Sequence, residues 1–233
     1  MLVHKIARLI KPMPGFAVVR RVATALLTPL VFSYETGHFQ ASLRRRAVDK
    51  RGRPLPWYTY PAIDFLKHQD LSGKRILEWG AGQSTHWWAQ RALSVLSFES
   101  DSEWHNRLRP HLPRNVTLLL VPENLVGIDR YLDGQYDLII VDGFDRYRCA
   151  ERSVELLARD GAIIVDNSEG YWGPSGQYPI IDLFRSREFG RVDFYGFCPG
   201  VILPHCTSLF FRNSCFLLFN ARPPVRSELD DNR

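Results

Sequence analysis

The sequence is poor in cysteine. It has four cysteines among 233 residues, at Cys149, Cys198, Cys206 and Cys215, and none of them forms a C-x-x-C pair. A disulfide scaffold needs a much denser set of cysteines, and a structural zinc site needs closely spaced pairs. We therefore expect four buried free thiols in a reducing compartment.

Long apolar runs are also missing. A helix that spans a bilayer needs about 20 predominantly apolar residues. The nearest candidate, residues 16–34, is interrupted by Arg20, Arg21 and Pro29. A secretory signal is not expected either, because no long apolar stretch leads to a small-residue cleavage site. The sequence therefore favours a cytoplasmic location.

Acidic residues are scarce in the first quarter of the chain. Residues 1–56 contain eleven Lys or Arg and two acidic residues, whereas the rest of the chain is mildly acidic and the whole carries a formal net charge of +5. We predict a basic amphipathic helical arm that either packs on the main domain or lies on the inner membrane surface through residues 1–34. Nucleic acid is not an expected partner, because the arm lacks interleaved aromatic residues for base stacking. We expect the basic excess to affect where the protein sits and hardly at all what it catalyses.

The main domain, predicted over residues 57–220, alternates short apolar runs with longer amphipathic segments. The apolar runs predict strands over 75–79, 95–99, 116–121, 136–141 and 162–166. The segments between them predict helices over 84–93, 102–112, 125–132 and 149–159. This alternation predicts a doubly wound, mostly parallel α/β sheet covered on both faces. Two further strands, over 191–197 and 208–218, predict a terminal antiparallel hairpin, and the polar residues 221–233 predict a disordered tail.

A glycine-rich turn follows the first predicted strand. Gly80 and Gly82 allow a tight turn and a close approach of a ligand to the backbone, and the next helix begins directly after them. The second strand ends at Glu99, whose carboxylate can accept hydrogen bonds from the hydroxyls of a ribose. The third glycine of a dinucleotide-binding motif is missing, with Thr85 in its place. The pattern predicts an adenosine-containing cofactor and leaves an NAD-dependent oxidoreductase as a disfavoured alternative.

Polar side chains end the fourth and fifth predicted strands. Asp142 follows the fourth strand, and Asp166 and Asn167 follow the fifth. Because neighbouring parallel strands end at one edge of a sheet, we expect the three side chains to lie close together. Carboxylate and amide oxygens are the ligands that Mg²⁺ prefers, so they are a candidate metal site. The alternative is that the Asp-Asn pair only forms a turn.

These motifs in this order resemble the class I S-adenosylmethionine-dependent methyltransferases over residues 57–219. The matching segments are ILEWGAGQST, VLSFESD, YDLIIVDG and GAIIVDN. The chain looks closest to an uncharacterised, FkbM-like bacterial branch and partly resembles the catechol-type O-methyltransferases. The resemblance implies a Rossmann-like sheet of seven strands, the last antiparallel, and S-adenosylmethionine as cofactor. The cofactor-binding residues that it implies are Glu78, Gly80, Ala81, Gly82, Ser84, Thr85, Glu99, Ser100, Glu123, Asn124, Asp142 and Tyr58.

The resemblance also implies the chemistry. Methyl transfer depends mainly on positioning the acceptor and removing its proton. Asp142 and His205, which begins the terminal hairpin, are the candidate catalytic residues. In catechol-type enzymes an Asp after strand four and an Asp-Asn pair after strand five hold a metal ion, but the lysine of that class is missing from the loop after Asp142. We expect O-methylation of a small molecule or a glycan precursor. The alternative is a non-catalytic Rossmann-like module that docks on a membrane or a partner through its basic arm.

Overall fold

The computed structural model describes residues 17–170 and 179–219, which form one seven-stranded sheet and the helices around it. The strands are β1 (Arg75–Trp79), β2 (Ser94–Glu99), β3 (Val116–Leu120), β4 (Tyr136–Val141), β5 (Leu157–Val165), β6 (Gly190–Phe197) and β7 (Pro204–Phe211). The helices are α1 (Ala17–Glu35), α2 (His38–Arg44), α3 (Tyr60–Lys67), α4 (Gln83–Ala89), α5 (Ser102–Leu108), α6 (Arg146–Leu156) and α7 (Pro179–Ser186).

The sheet order is β3-β2-β1-β4-β5-β7-β6. Strands β1 to β5 run parallel, and β7 lies antiparallel between β5 and β6. This confirms the predicted doubly wound, mostly parallel sheet with a terminal antiparallel hairpin. The strand order reverses between β1 and β4, so their carboxyl ends border the crevice where such sheets bind ligands.

Both faces of the central strands are buried. Successive side chains of a strand point to opposite faces, and Leu77 of β1 packs into one hydrophobic cluster with α6 and α7 while Ile76 packs into a second one with α3 and α4. In β4, Ile139 and Ile140 divide in the same way. Because neither face meets water, these strands are continuous apolar runs, which is why their positions could be predicted from the sequence.

Several predicted elements have other bounds in the structure, among them β5, which begins at Leu157 where the sequence predicts the end of a helix. The helix predicted over 125–132 is wrong: this segment has only a 3₁₀ turn over Ile128–Tyr131, and it follows Leu125 and Gly127, whose φ angles of 60° and 78° interrupt a helical backbone. Helix α6 begins at Arg146, earlier than predicted, because the side chain of Asp145 accepts a hydrogen bond from the backbone N–H of Arg148. The last predicted strand is β7 followed by a 3₁₀ turn over Phe216–Leu218.

The arm contributes a helix that barely touches the domain. None of the 19 residues of α1 is buried. Near its C-terminal end the ring of Phe32 meets Tyr60 edge-on at 5.4 Å and Phe197 at 6.2 Å between centroids. By length and composition α1 could cross a membrane. Residues 1–16 of the arm and the tail 221–233 lie outside the described residues.

The segment after α2 is packed more tightly than its polar sequence indicates. Ala47 and Val48 are buried, and Val48 pairs with Pro54 in an isolated antiparallel bridge. The four cysteines are buried free thiols, as the sequence predicts.

Candidate functional site

A cavity of about 950 Å³ opens at the carboxyl ends of the parallel strands. It is where the strand order reverses, as expected for a ligand site in a doubly wound sheet. Most of the predicted site residues line it. These are Gly80, Ala81, Gly82, Ser84, Glu99, Asp142, Asp166, Asn167 and His205.

The turn after β1 can form only because two glycines meet. Gly80 has φ +95°, and a Cβ atom on it would lie 2.6 Å from the Cα atom of Gly143, which follows β4. A Cβ atom on Gly143 would lie 2.7 Å from the Cα atom of Gly80. The backbones of the two strand ends therefore approach more closely than any side chain permits, which gives the cavity a floor made of backbone.

Glu78 holds this turn from beneath and does not line the cavity. Its fully buried carboxylate accepts hydrogen bonds from Ser84 Oγ at 2.5 Å, Thr85 Oγ1 at 2.6 Å and Ser97 Oγ at 2.8 Å. Burial raises the pKa of Glu78 to about 7, although the three hydroxyls oppose the shift. These bonds join the start of α4 to β1 and β2, so Glu78 and Thr85 position the loop. Their direct contact with a cofactor stays a prediction.

Glu99 connects the end of β2 to the same loop. Its Oε1 atom accepts from the backbone N–H groups of Ser100 at 2.8 Å and Asp101 at 2.9 Å, and its Oε2 atom accepts from Ala81 N–H at 3.1 Å. The carboxylate lines the cavity and is held in a fixed orientation by three donors, and its Oε2 atom keeps capacity for a further hydrogen bond.

Trp104 is a site residue that the sequence analysis missed. It lies in the first turn of α5, lines the cavity, and its indole N–H donates to the carbonyl oxygen of Ala81 at 2.7 Å. An aromatic side chain fixed beside Glu99 offers a surface on which a nucleobase can stack. The signal in the sequence was an aromatic residue five positions after Glu99, the acidic end of the second strand.

The carboxylates after β4 and β5 come together, as predicted, around an arginine. Asp142 accepts from Arg146 Nη2 at 3.2 Å, and Arg146 also donates to the backbone carbonyl of Asp166. Thr207 Oγ1 donates to the Asp166 carboxylate at 2.7 Å. Burial raises the pKa of Asp142 to about 6, and burial followed by the charge of Asp142 raises that of Asp166 well above its usual range.

This arrangement does not fit a divalent cation. The Arg146 guanidinium already balances the charge of Asp142, and Thr207 occupies one oxygen of Asp166. Within residues 17–170 and 179–219, no group of three or more His, Cys, Asp or Glu side chains could hold a metal ion. The structure thus gives no support to the predicted Mg²⁺ site of Asp142, Asp166 and Asn167, and we derive no step through a metal.

His205 stands at the cavity with a carboxylate partner. Its Nδ1 atom lies 2.7 Å from Oε1 of Glu169, whose Oε2 accepts from Cys206 N–H at 2.9 Å. Glu169 therefore orients the imidazole and fixes which ring nitrogen faces away from it. Glu169 is not among the predicted site residues, because no local sequence pattern connects two residues that are 36 positions apart.

Besides Glu78 and Thr85, four further predicted cofactor residues do not line the cavity. Tyr58 is fully buried among apolar side chains, where its hydroxyl accepts from Trp88 Nε1 at 3.3 Å. Ser100 lies behind Glu99, and Glu123 and Asn124 are exposed on the turn after β3. Contact of these four residues with a cofactor stays a prediction.

A solved methyltransferase structure shares this architecture. Precorrin-6y C5,15-methyltransferase from Geobacter metallireducens aligns over 65% of this chain and 87% of its own, with 12% identity and a TM-score of 0.52. The chain has the class I methyltransferase fold. The O-methyltransferase TomG from Streptomyces achromogenes, solved with S-adenosylmethionine, aligns over 59% of this chain and 72% of its own, with 17% identity and a TM-score of 0.43. No family model matches the sequence, and no curated protein matches it. At these identities the likeness concerns the fold, and the FkbM-like branch stays a prediction.

One wall of this methyltransferase-fold cavity is basic. We call it the basic wall; its members are Arg45, Arg46, His86, Arg107 and His111. The side chain of Arg46 donates to Gln83 Oε1 at 3.4 Å, directly beside the glycine turn. The pKa of His86 is lowered, first by burial and then by the charges of Arg46 and His111. The arm therefore reaches the cavity, contrary to the expectation that its charge has little to do with the site.

Proposed function

We propose that the protein is an S-adenosylmethionine-dependent methyltransferase, with residues 57–220 as its cofactor-binding domain. The observation that carries the proposal is the anchored Glu99 carboxylate beside the Gly80–Gly82 turn, in a cavity at the point where strand order reverses. The likeness in fold to solved methyltransferases supports it.

The cavity residues fit this cofactor. A volume of about 950 Å³ is within the range of small-molecule sites and leaves room for an acceptor beside the cofactor. Glu99 offers its Oε2 atom to a ribose hydroxyl, the glycine turn exposes backbone to the amino-acid part, and Trp104 offers a stacking surface to the adenine. S-adenosylmethionine, when bound, supplies an electrophilic methyl group.

The acceptor that we propose is a hydroxyl of a small molecule or a glycan precursor. His205, oriented by Glu169, takes the proton of that hydroxyl as the methyl group is transferred. Asp142, whose pKa burial raises to about 6, accepts a hydrogen bond from the bound molecules and is the second candidate base. A base positioned in this way contributes about 10²- to 10⁴-fold to a rate.

Calorimetry with S-adenosylhomocysteine tests the cofactor assignment. We expect the wild-type protein to bind it and Glu99→Gln to bind it about 10- to 100-fold more weakly, because a charge-assisted hydrogen bond is worth about 1.5–3 kcal/mol. Glu103→Gln is the matched control, since this glutamate also follows β2 but is exposed and does not line the cavity. Absence of binding by the wild type, or equal binding by Glu99→Gln, contradicts the assignment.

We also propose that α1 lies on an anionic membrane surface. Many of its apolar residues are exposed, with Val18, Leu26 and Leu30 each about two-thirds exposed, and the arm carries the basic excess of the chain. Each Lys or Arg near such a surface adds about 1 kcal/mol of attraction. We expect cosedimentation with phosphatidylglycerol vesicles that Leu26→Gln with Leu30→Gln weakens and that Leu203→Gln, a control at an equally exposed leucine, leaves intact. Equal sedimentation of all three proteins contradicts docking through α1 and leaves the cofactor assignment untouched.

A further inference from the structure

We propose that the methyl acceptor carries a phosphate or diphosphate group and that the basic wall binds it. This inference rests on the proposed function and names the chemical class of its substrate. It concerns cavity-lining residues that are not among the proposed cofactor contacts, namely the three arginines and two histidines of the wall.

The arginines of the basic wall keep their charge free for a ligand. Within the part of the chain that the structure describes, Arg45 and Arg46 form no ion pair. Arg107 is 3.6 Å from Glu103, but both side chains are at least 70% exposed. Such an exposed pair contributes little and exchanges readily. The wall therefore presents an uncompensated positive charge to whatever enters the cavity.

The position of the two adjacent arginines is fixed by the fold. Helix α2 ends at Arg44, and Arg45 takes a left-handed conformation with φ 50°. The backbone N–H of Arg46 then donates to the carbonyl of Ala41 at 3.3 Å, and Ala47 is completely buried. The backbone of Arg45 and Arg46 is thus held between the end of α2 and the buried Ala47, which keeps both residues at the cavity.

The cavity is polarised, which determines where an anion can bind. Its sheet edge carries the acidic side chains of Glu99, Asp142 and Asp166, of which the Glu99 carboxylate repels an anionic group. The basic wall attracts one. An acceptor with an anion at one end and a hydroxyl at the other would therefore be held with the anion on the wall, and the hydroxyl could reach His205 and Asp142 at the sheet edge.

The donor chemistry favours phosphate. Each guanidinium presents a planar fork of N–H donors that fits two oxygens of a phosphate or carboxylate, and all five side chains of the wall can donate hydrogen bonds. Three arginines provide more forks than one carboxylate can accept, whereas a phosphate or diphosphate has enough oxygens for them. The phosphate could belong to a soluble molecule or to a lipid headgroup, and the experiment distinguishes the two.

The experiment measures binding of inorganic pyrophosphate to the protein loaded with S-adenosylhomocysteine. We expect the wild type to bind pyrophosphate, Arg46→Gln and Arg107→Gln to bind it about tenfold more weakly, and Arg45→Gln with Arg46→Gln to bind it more weakly still. The control is Arg185→Gln, which removes an exposed arginine of α7 that does not line the cavity. Each variant should retain its affinity for S-adenosylhomocysteine, which reports an intact fold and cofactor site.

A soluble short-chain phosphatidic acid, titrated in parallel, identifies the source of the phosphate. If it competes with pyrophosphate, a lipid headgroup is the acceptor's anion; if only pyrophosphate binds, the acceptor is a soluble phosphate. Binding of S-adenosylhomocysteine without binding of either probe overturns this inference alone, and so does equal pyrophosphate affinity of the wild type and the double variant. Failure of S-adenosylhomocysteine to bind overturns the proposed function first.

Discussion

The contact between Gly80 and Gly143 can be tested by adding one methyl group. In Gly143→Ala the new Cβ atom would lie 2.7 Å from the Cα atom and 2.9 Å from the N atom of Gly80. Real Cβ atoms do not approach backbone this closely, so the ends of β1 and β4 must separate. Overpacking of this kind costs about 1–3 kcal/mol. Because Gly143 does not have a positive φ angle, the whole effect is steric.

The same change at Gly80 should cost more. Its Cβ atom would meet Gly143 at 2.6 Å, and its φ of +95° adds the strain of a conformation that L-residues rarely adopt, about 1–2 kcal/mol. Gly73→Ala is the matched control, because nothing lies within 4 Å of its Cβ position. Removing a glycine there should leave the free energy of unfolding unchanged or raise it by up to about 1 kcal/mol.

Denaturant unfolding and S-adenosylhomocysteine calorimetry on the three variants provide the measurement. We expect stability to fall in the order Gly73→Ala, Gly143→Ala, Gly80→Ala, and each kcal/mol to lower Tm by about 2–4 °C in a protein of this size. The two cavity variants should also bind S-adenosylhomocysteine more weakly, because the displaced turn carries Ala81 and Gly82. If Gly143→Ala is as stable as Gly73→Ala and binds as tightly as the wild type, the backbone contact does not shape the site.

Two further predictions concern the residues beneath and beside this turn. Because the pKa of Glu78 is raised from 4.5 to about 7 in the folded protein, the folded state binds the proton more tightly than the unfolded chain, and the free energy of unfolding should fall as pH rises across that window. Glu78→Gln should flatten this dependence in denaturant titrations, and the exposed-site control Glu103→Gln should not; identical profiles of Glu78→Gln and wild type would show that the carboxyl titrates normally. Trp104→Leu should weaken S-adenosylhomocysteine binding by about 5- to 100-fold, since base stacking on an aromatic ring is worth about 1–3 kcal/mol. Tyr147→Leu, at a similarly exposed aromatic residue outside the cavity wall, should bind like the wild type, and a Trp104→Leu protein that does so too would exclude stacking.

The sequence was sufficient for the sheet because the strands bury both faces. The segment Tyr136–Val141 is an almost continuous apolar run because both faces of the strand are buried. Its predicted and observed bounds agree. The helix predicted over 125–132 failed for the opposite reason. Its apolar residues have helical spacing, but Leu125 and Ile128 are buried by separate turns of an irregular loop, and the left-handed Gly127 between them is not evident from composition.

In the candidate site, too, contacts between residues close in sequence could be predicted, and contacts between residues far apart in sequence could not. The glycine turn and Glu99 lie within 20 residues of each other on consecutive elements, and their chemistry is visible in one stretch of sequence. The His205–Glu169 pair and the Arg146 contact to Asp166 join residues that only the folded chain brings together. Glu78 was predicted as a cofactor-binding residue, but in the structure its carboxylate bonds to the hydroxyls that hold the glycine turn. The sequence does not distinguish these roles, because a carboxylate at a strand end has the same pattern in both.

The basic arm shows that the positions of charged residues in the fold, and not their count along the chain, indicate what they can bind. Counted along the chain, its excess belongs to a segment outside the α/β domain, which favours a role in location. In the fold, α2 and the turn after it carry Arg45 and Arg46 to the cavity wall, while α1 remains exposed. One segment thus has two separable parts: an apolar helix that can hold the protein at a surface, and a pair of arginines that can hold an anionic acceptor. Since substitutions in α1 should alter membrane binding alone and substitutions at the arginines should alter pyrophosphate binding, the two contributions can be measured independently in one protein.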